Sequence, residues 1–199
     1  MSLFLRKFIH CTALLYALIV FLFGQNILQI VLYLVLAFFI LWDGFVVHRL
    51  LKVPAFNKWL IKIYKTKELN SKVSGATYLA LALLLINYTL PEYIVIASIF
   101  TISFCDASAN IIGKYYGRHH LVSGKTLEGS MAFLVCGVLL SFIFAVSFNV
   151  SVIVFIVAMI FATLAELFSN KLRIDDNFFV TIVFSLMCYL SQGIYNIIT

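Results

Sequence analysis

The chain has 199 residues, 64% of them apolar and only 11% charged, with a mean hydropathy of +1.10. That composition excludes an ordinary soluble domain and points to a single multispan membrane domain, residues 1 to 199. The net charge of +6 would suit nucleic acid in a soluble protein. In a membrane protein the cations are more simply topology signals and lipid or phosphate contacts, so no nucleic-acid partner is expected.

In chain order, apolar runs of about 20 residues predict an all-α, polytopic membrane helix bundle of about seven transmembrane helices, at 8 to 24, 27 to 47, 74 to 90, 93 to 112, 131 to 148, 151 to 168 and 178 to 198. The third is short. Gly24-Gln25-Asn26 reads as a tight turn between the first two, and without a small-residue cleavage site the first run is a retained span rather than a signal peptide. All fourteen Lys and Arg fall before the first span or in 48 to 73, 113 to 130 and 169 to 177. With seven spans these segments share one face, and the positive-inside bias makes it cytoplasmic, with the N-terminus inside. Asn87-Tyr88-Thr89 and Asn149-Val150-Ser151 match the glycosylation pattern, but both lie tight against predicted spans, which argues against modification.

The segment 48 to 73 sets Phe56, Trp59, Leu60 and Ile63 among Lys58, Lys62 and Lys65, a spacing that predicts a basic amphipathic helix on the cytoplasmic face. It would anchor the fold, or act as a lid or entry ramp for a lipid. Cys11, Cys105, Cys136 and Cys188 form no CxxC pair and no Cys/His cluster, and are read as apolar packing residues.

Charges inside spans are costly, so those present are functional candidates. Of eight acids, Asp43, Asp106, Glu128, Glu166, Asp175 and Asp176 fall at or near the expected cytoplasmic boundary, facing a set of cations. This suggests a divalent metal, Mg²⁺ or a similar ion, and an anionic polyphosphate. Asp106, Asn110, Gly113 and Gly117 recur at intervals of four, three and four and share one helix face. Alone they fit a small-residue packing seam equally well. Lys114, Arg118 and then Gly124-Lys125-Thr126-Leu127-Glu128-Gly129-Ser130 favour phosphate: glycines let backbone amides approach, lysine supplies a mobile charge, and acids hold Mg²⁺. No Walker loop is present. A second candidate region is Glu166 with Asp175-Asp176-Asn177, for which helix capping is the alternative reading. Arg6, Lys7 and His10 form a third. His119 and His120 read as solvated loop residues, and Asp43 and His48 as buried polar groups without an identifiable partner.

Together, D-x-x-A-x-x-x-G-K-x-x-G from Asp106, GKTLEGS from Gly124 to Ser130, Glu166 and Asp175 to Asn177 resemble the CTP-dependent lipid-alcohol kinases: dolichol kinase, phytol kinase and the yeast-type diacylglycerol kinase. Arg6, Lys7 and His10 look like that family's opening motif, as does Glu68 followed by Gly75 and Tyr78. The likeness covers nearly the whole chain. It departs at Cys105, where family members commonly have Gly, and in its length, which resembles the compact microbial members. The CDP-diacylglycerol synthases carry a related block and transfer the cytidylyl group instead.

The resemblance implies CTP as co-substrate, Mg²⁺ and a lipid alcohol acceptor, with the reaction on the cytoplasmic face of a prokaryotic cell membrane, or of the ER membrane in a eukaryote. Five residues before Arg6 leave no room for a transit peptide. Asp106 and Glu128 would hold the metal, and Asp175 and Asp176 would be further ligands or the base. Lys114, Arg118 and Lys125 would neutralise phosphates that Gly113, Gly117, Gly124 and Gly129 let approach. Cytidylyl transfer and a small transporter are the alternatives.

Overall fold

The computed structural model describes residues 13–47, 73–121 and 124–198. Arg6, Lys7, His10, His48, Glu68 and the expected amphipathic helix through residue 72 lie outside the described residues.

Among the described residues every regular element is helical: α1 Ala13–Leu41 continuing as a π-helical segment Trp42–Val47, α2 Gly75–Thr89, α3 Glu92–Phe100, a π-helical segment Thr101–Cys105, α4 Asp106–Tyr116, α5 Leu127–Phe148, α6 Val152–Leu172 and α7 Asp176–Ile198. Among the described residues five helices are long and apolar enough to cross a membrane: Ala13–Gly44, the continuous Glu92–Tyr116, Leu127–Phe148, Val152–Leu172 and Asp176–Ile198. α2 has 15 residues, about 22 Å of helix against a hydrocarbon core of about 30 Å.

Where spans were expected at 8 to 24 and 27 to 47, the described residues from Ala13 onward form one helical run that breaks at Gly24 (φ 78, ψ 174). That conformation is open essentially to glycine alone. The stretch after the break runs antiparallel to α2, and polar contacts tie both ends. At one end Gln25 Nε2 donates to the Leu90 carbonyl (3.0 Å) and Asn87 Nδ2 to the Gln25 carbonyl (3.2 Å). At the other, Asp43 accepts from the Ser74 amide (2.8 Å) and the Thr77 hydroxyl (2.6 Å). This acid, without a visible partner in the sequence, closes the N-terminus of α2, where orphan amides and the helix dipole favour a negative charge.

α7 packs on α2 and α6, and its Asn177 Nδ2 reaches the Gly75 carbonyl (3.1 Å). The N-termini of α2 and α7 therefore meet at the Asp43 end. Packing between the helices is apolar: Phe133, Phe155, Phe184, Leu83, Ile94 and Met159 are each under 2% exposed. Buried hydroxyls mostly return to their own helices, as Ser98 does to Ile94 (2.7 Å) and Thr101 to Ala97 (2.8 Å). Such local bonding is what a medium without water demands.

A Cβ at Gly24 or at Gly193 of α7 would meet nothing within 4 Å, but only Gly24 has a positive φ. Gly24→Ala is expected to lower the unfolding free energy by about 1–3 kcal/mol through backbone strain alone, and Gly193→Ala to be neutral or slightly stabilising. Denaturant titration in detergent micelles compares the two.

Candidate functional site

Asp106 opens α4 directly after the π-helical segment Thr101–Cys105. A π turn shifts the register of everything beyond it, so the face carrying Asp106, Asn110, Gly113 and Gly117 is set independently of α3. Cys105, where the resembled kinases have glycine, has φ −70 and ψ −43. Ordinary right-handed backbone admits any side chain, so this departure has no conformational cost.

Three glycines serve close packing. A Cβ on Gly129 would lie 2.9 Å from the Ala109 carbonyl oxygen and 3.2 Å from the Gly113 Cα, and one on Gly113 would lie 2.9 Å from Thr126 Oγ1. At Gly117 a Cβ would come 2.7 Å from Thr126 Cγ2. The packing seam weighed against phosphate binding for Gly113 and Gly117 is therefore real, and its partner is the start of α5. Thr126 is the pivot. Its hydroxyl accepts from the Gly129 amide (3.2 Å) as the N-cap of α5, while its side chain fills the space the glycines leave.

The loop between α4 and α5 is pinned by backbone bonds from Leu121 to Lys125 (2.7 Å) and from Leu127 to His119 (2.9 Å). Gly124 turns it with φ 80. These elements enclose a pocket of about 220 Å³. Ala109, Asn110, Gly113 and Lys114 of α4 form one wall, Gly124, Lys125 and Thr126 of the loop a second, and Gly129 and Ser130 of α5 with Glu166 of α6 the rest. Eight of these were expected at a phosphate site from the sequence, and Glu166 was a further candidate.

Lys125 makes an ion pair with Glu166 Oε1, and the Ser130 hydroxyl bonds the other carboxylate oxygen (3.4 Å). Both charges are largely buried, the side chains being 16% and 5% exposed. The pair joins the stretch from Asp106 to Ser130 with Glu166, 41 positions beyond Lys125. Lys114, by contrast, is exposed, with its ammonium 5.7 Å from the Tyr115 ring.

The remaining candidates do not line the pocket. Asp106 is 4% exposed and accepts from Asn110 Nδ2 (2.7 Å), which places it one side chain behind the wall. Glu128 turns to His119 (Oε1 to Nδ1 2.7 Å) and to the His119 amide. His119 is thus exposed, as expected of a loop residue, yet it also has a partner. Asp175 Oδ1 accepts from the Asn177 amide (3.0 Å), the capping role weighed for that triplet. Asp176 lies in the first turn of α7, and Arg118 in the loop after α4. Asn177 is 3% exposed, and its Oδ1 is buried without a hydrogen-bond partner.

Among the described residues no group of three or more His, Cys, Asp or Glu side chains converges as a metal cage. Mg²⁺ seldom uses one: it is held by one or two carboxylates, waters and substrate phosphates. Asp106, whose carboxylate meets Asn110 of the pocket wall, is a carboxylate of that kind.

Sequence comparison gives two relatives. The chain is 28% identical over 186 residues to an uncharacterized protein of Rickettsia prowazekii, covering 91% of this chain and 90% of that one. It is 25% identical over 145 residues to CTP-dependent diacylglycerol kinase 1 of Schizosaccharomyces pombe, covering 70% of this chain and 65% of the kinase. No protein-family model and no solved structure matches.

Since the clash at Gly129 is with backbone and cannot be relieved by a rotamer change, Gly129→Ala is expected to push α4 from α5 and cost about 1–3 kcal/mol. Thermal unfolding in micelles is the check, with Gly193→Ala as the control.

Proposed function

We infer that the chain is an integral membrane kinase that transfers the γ-phosphoryl group of CTP to the hydroxyl of a lipid alcohol. The observation that carries this reading is the largely buried Lys125 in a small glycine-lined pocket at the N-terminus of α5, set in an apolar helix bundle. A helix N-terminus, a fixed ammonium, hydroxyls and close glycine backbone together make an anion site. At about 220 Å³ the pocket is below the roughly 300–1,000 Å³ of sites that enclose a drug-sized ligand. It suits the phosphates of a nucleotide, with the nucleoside outside and the lipid tail along the bundle. Similarity to a CTP-dependent diacylglycerol kinase supports both substrates.

In the reaction the lipid hydroxyl oxygen forms a bond to the γ-phosphorus, and the bond from that phosphorus to the β–γ bridging oxygen breaks, releasing CDP. Such a transfer depends mainly on alignment and on neutralising charge. Lys125 and Lys114 supply charge inside the pocket, and Arg118 supplies it beyond the end of α4. Asp106 is the carboxylate that would hold Mg²⁺, which when bound neutralises phosphate charge. Asp175 Oδ1 caps α7, and Asp176, in the first turn of the same helix, is assigned the hydroxyl proton.

Taking the Gly24 break as a turn between spans, and α2 as a short span, gives seven crossings. The lysine-bearing connections then lie on one face, which the positive-inside bias makes cytoplasmic, and the pocket opens there.

The deciding experiment incubates purified protein with lipid alcohols and CTP labelled at either the α or the γ phosphate. Label from the γ position is expected in the lipid. Label from the α position would make the protein a cytidylyltransferase and overturn the kinase reading. Lys125→Ala is expected to lower turnover at least about 100-fold, as loss of a charge-stabilising donor does. Solute uptake by liposomes that persists in this variant would instead indicate a transporter.

A further inference from the structure

Two lysines line the pocket, and the structure treats them differently. Lys114 is exposed on the last turn of α4, its ammonium over the Tyr115 ring and able to follow a ligand. Lys125 is held by Glu166, whose carboxylate is almost wholly buried and receives the Ser130 hydroxyl on its second oxygen. A buried acid beside a phosphate pocket opposes anion binding, because it cancels the nearest positive charge where solvent screens little. Its presence therefore needs a reason other than affinity.

We propose that Glu166 is a positioning residue for Lys125. It pins the ammonium at one point of the pocket and withholds its full charge from phosphates in the ground state, so that Lys125 acts on the phosphoryl group in transit. This rests on the pocket being a phosphate site, as argued above.

The physical basis is the entropy of a long side chain. A free lysine loses rotamer freedom when it engages phosphate, and it follows the phosphate wherever that sits. Lys125 has already lost that freedom to Glu166, and it retains ammonium hydrogens beyond the one Glu166 accepts. Donors fixed in advance where charge develops favour the transition state over the bound substrate. Lys114 captures the nucleotide, and Lys125 is held ready for transfer. The anchor itself does not move: Glu166 is on α6, packed against α5 and α7.

Glu166→Gln tests this, since glutamine keeps the shape and can still bond Lys125 and Ser130 while losing the charge. Three quantities are compared with wild type: binding of tripolyphosphate by calorimetry in micelles, kcat for phosphoryl transfer, and the Mg²⁺ concentration giving half-maximal rate. Positioning predicts about tenfold tighter tripolyphosphate binding together with a fall in kcat of about 10–100-fold and an unchanged Mg²⁺ requirement. Glu166→Asp, which restores the charge at a shorter reach, should return binding toward wild type and recover part of kcat.

Parallel weakening of binding and turnover with a lowered Tm would reduce Glu166 to a structural role and overturn the proposal. A tenfold or larger rise in the Mg²⁺ requirement would make it a metal ligand instead and also overturn it. If wild type transfers no phosphoryl group but Glu166→Gln still tightens tripolyphosphate binding, the kinase reading falls while the restraint of Lys125 by Glu166 stands. If wild type binds no tripolyphosphate, both fall.

Discussion

The buried pair of Lys125 and Glu166 is the contact on which the arrangement of the site depends. It joins the loop before α5 to a helix that begins 27 positions after Lys125, and it does so where both charges are largely withdrawn from water. A buried pair is weak evidence for stability, since desolvation opposes the Coulomb attraction, but removing one partner leaves an uncompensated charge. The pair thus acts more as a constraint than as a source of stability. With it in place, the loop has one position relative to α6, and the pocket has one shape.

The glycine seam supplies the second constraint. Gly113 and Gly129 bring α4 and α5 so close that Thr126 fills the remaining space, and that closeness is what makes the pocket small. Packing and binding are not rival explanations of these glycines. The close approach of two helices lays Thr126 and the first turn of α5 against the face of α4 that carries Asn110 and Lys114. The same logic applies at the α2 end, where Asp43 holds the first turn of α2 and Asn177 ties α7 to it.

Much of this was legible beforehand because the signals are local. Apolar runs marked the helices, and small residues at intervals of three and four marked the face of α4, whereas Gly124, read only as a glycine that lets phosphate approach, also turns the loop with its φ of 80. Thr126 sits where an N-cap belongs, three residues before the amide it accepts from. The partners were not legible. The bond of Asp43 to Thr77 spans 34 positions, that of Asn177 to Gly75 spans 102, and neither leaves a periodic trace. Glu128 looked from its motif like a metal ligand, yet its carboxylate turns to His119, nine positions away across a loop whose path no periodicity encodes.

The sequence by itself determined that the chain is helical, with several segments apolar enough to cross a membrane. Hydropathy and charge act residue by residue against a fixed solvent, so a one-dimensional reading suffices for them. Only the tertiary structure decided which acid meets which cation, since ion pairs and helix crossings form between elements far apart in the chain. It made Glu166 the partner of Lys125 and Asp175 the cap of α7, and it set Gly113 of α4 in the wall of a pocket.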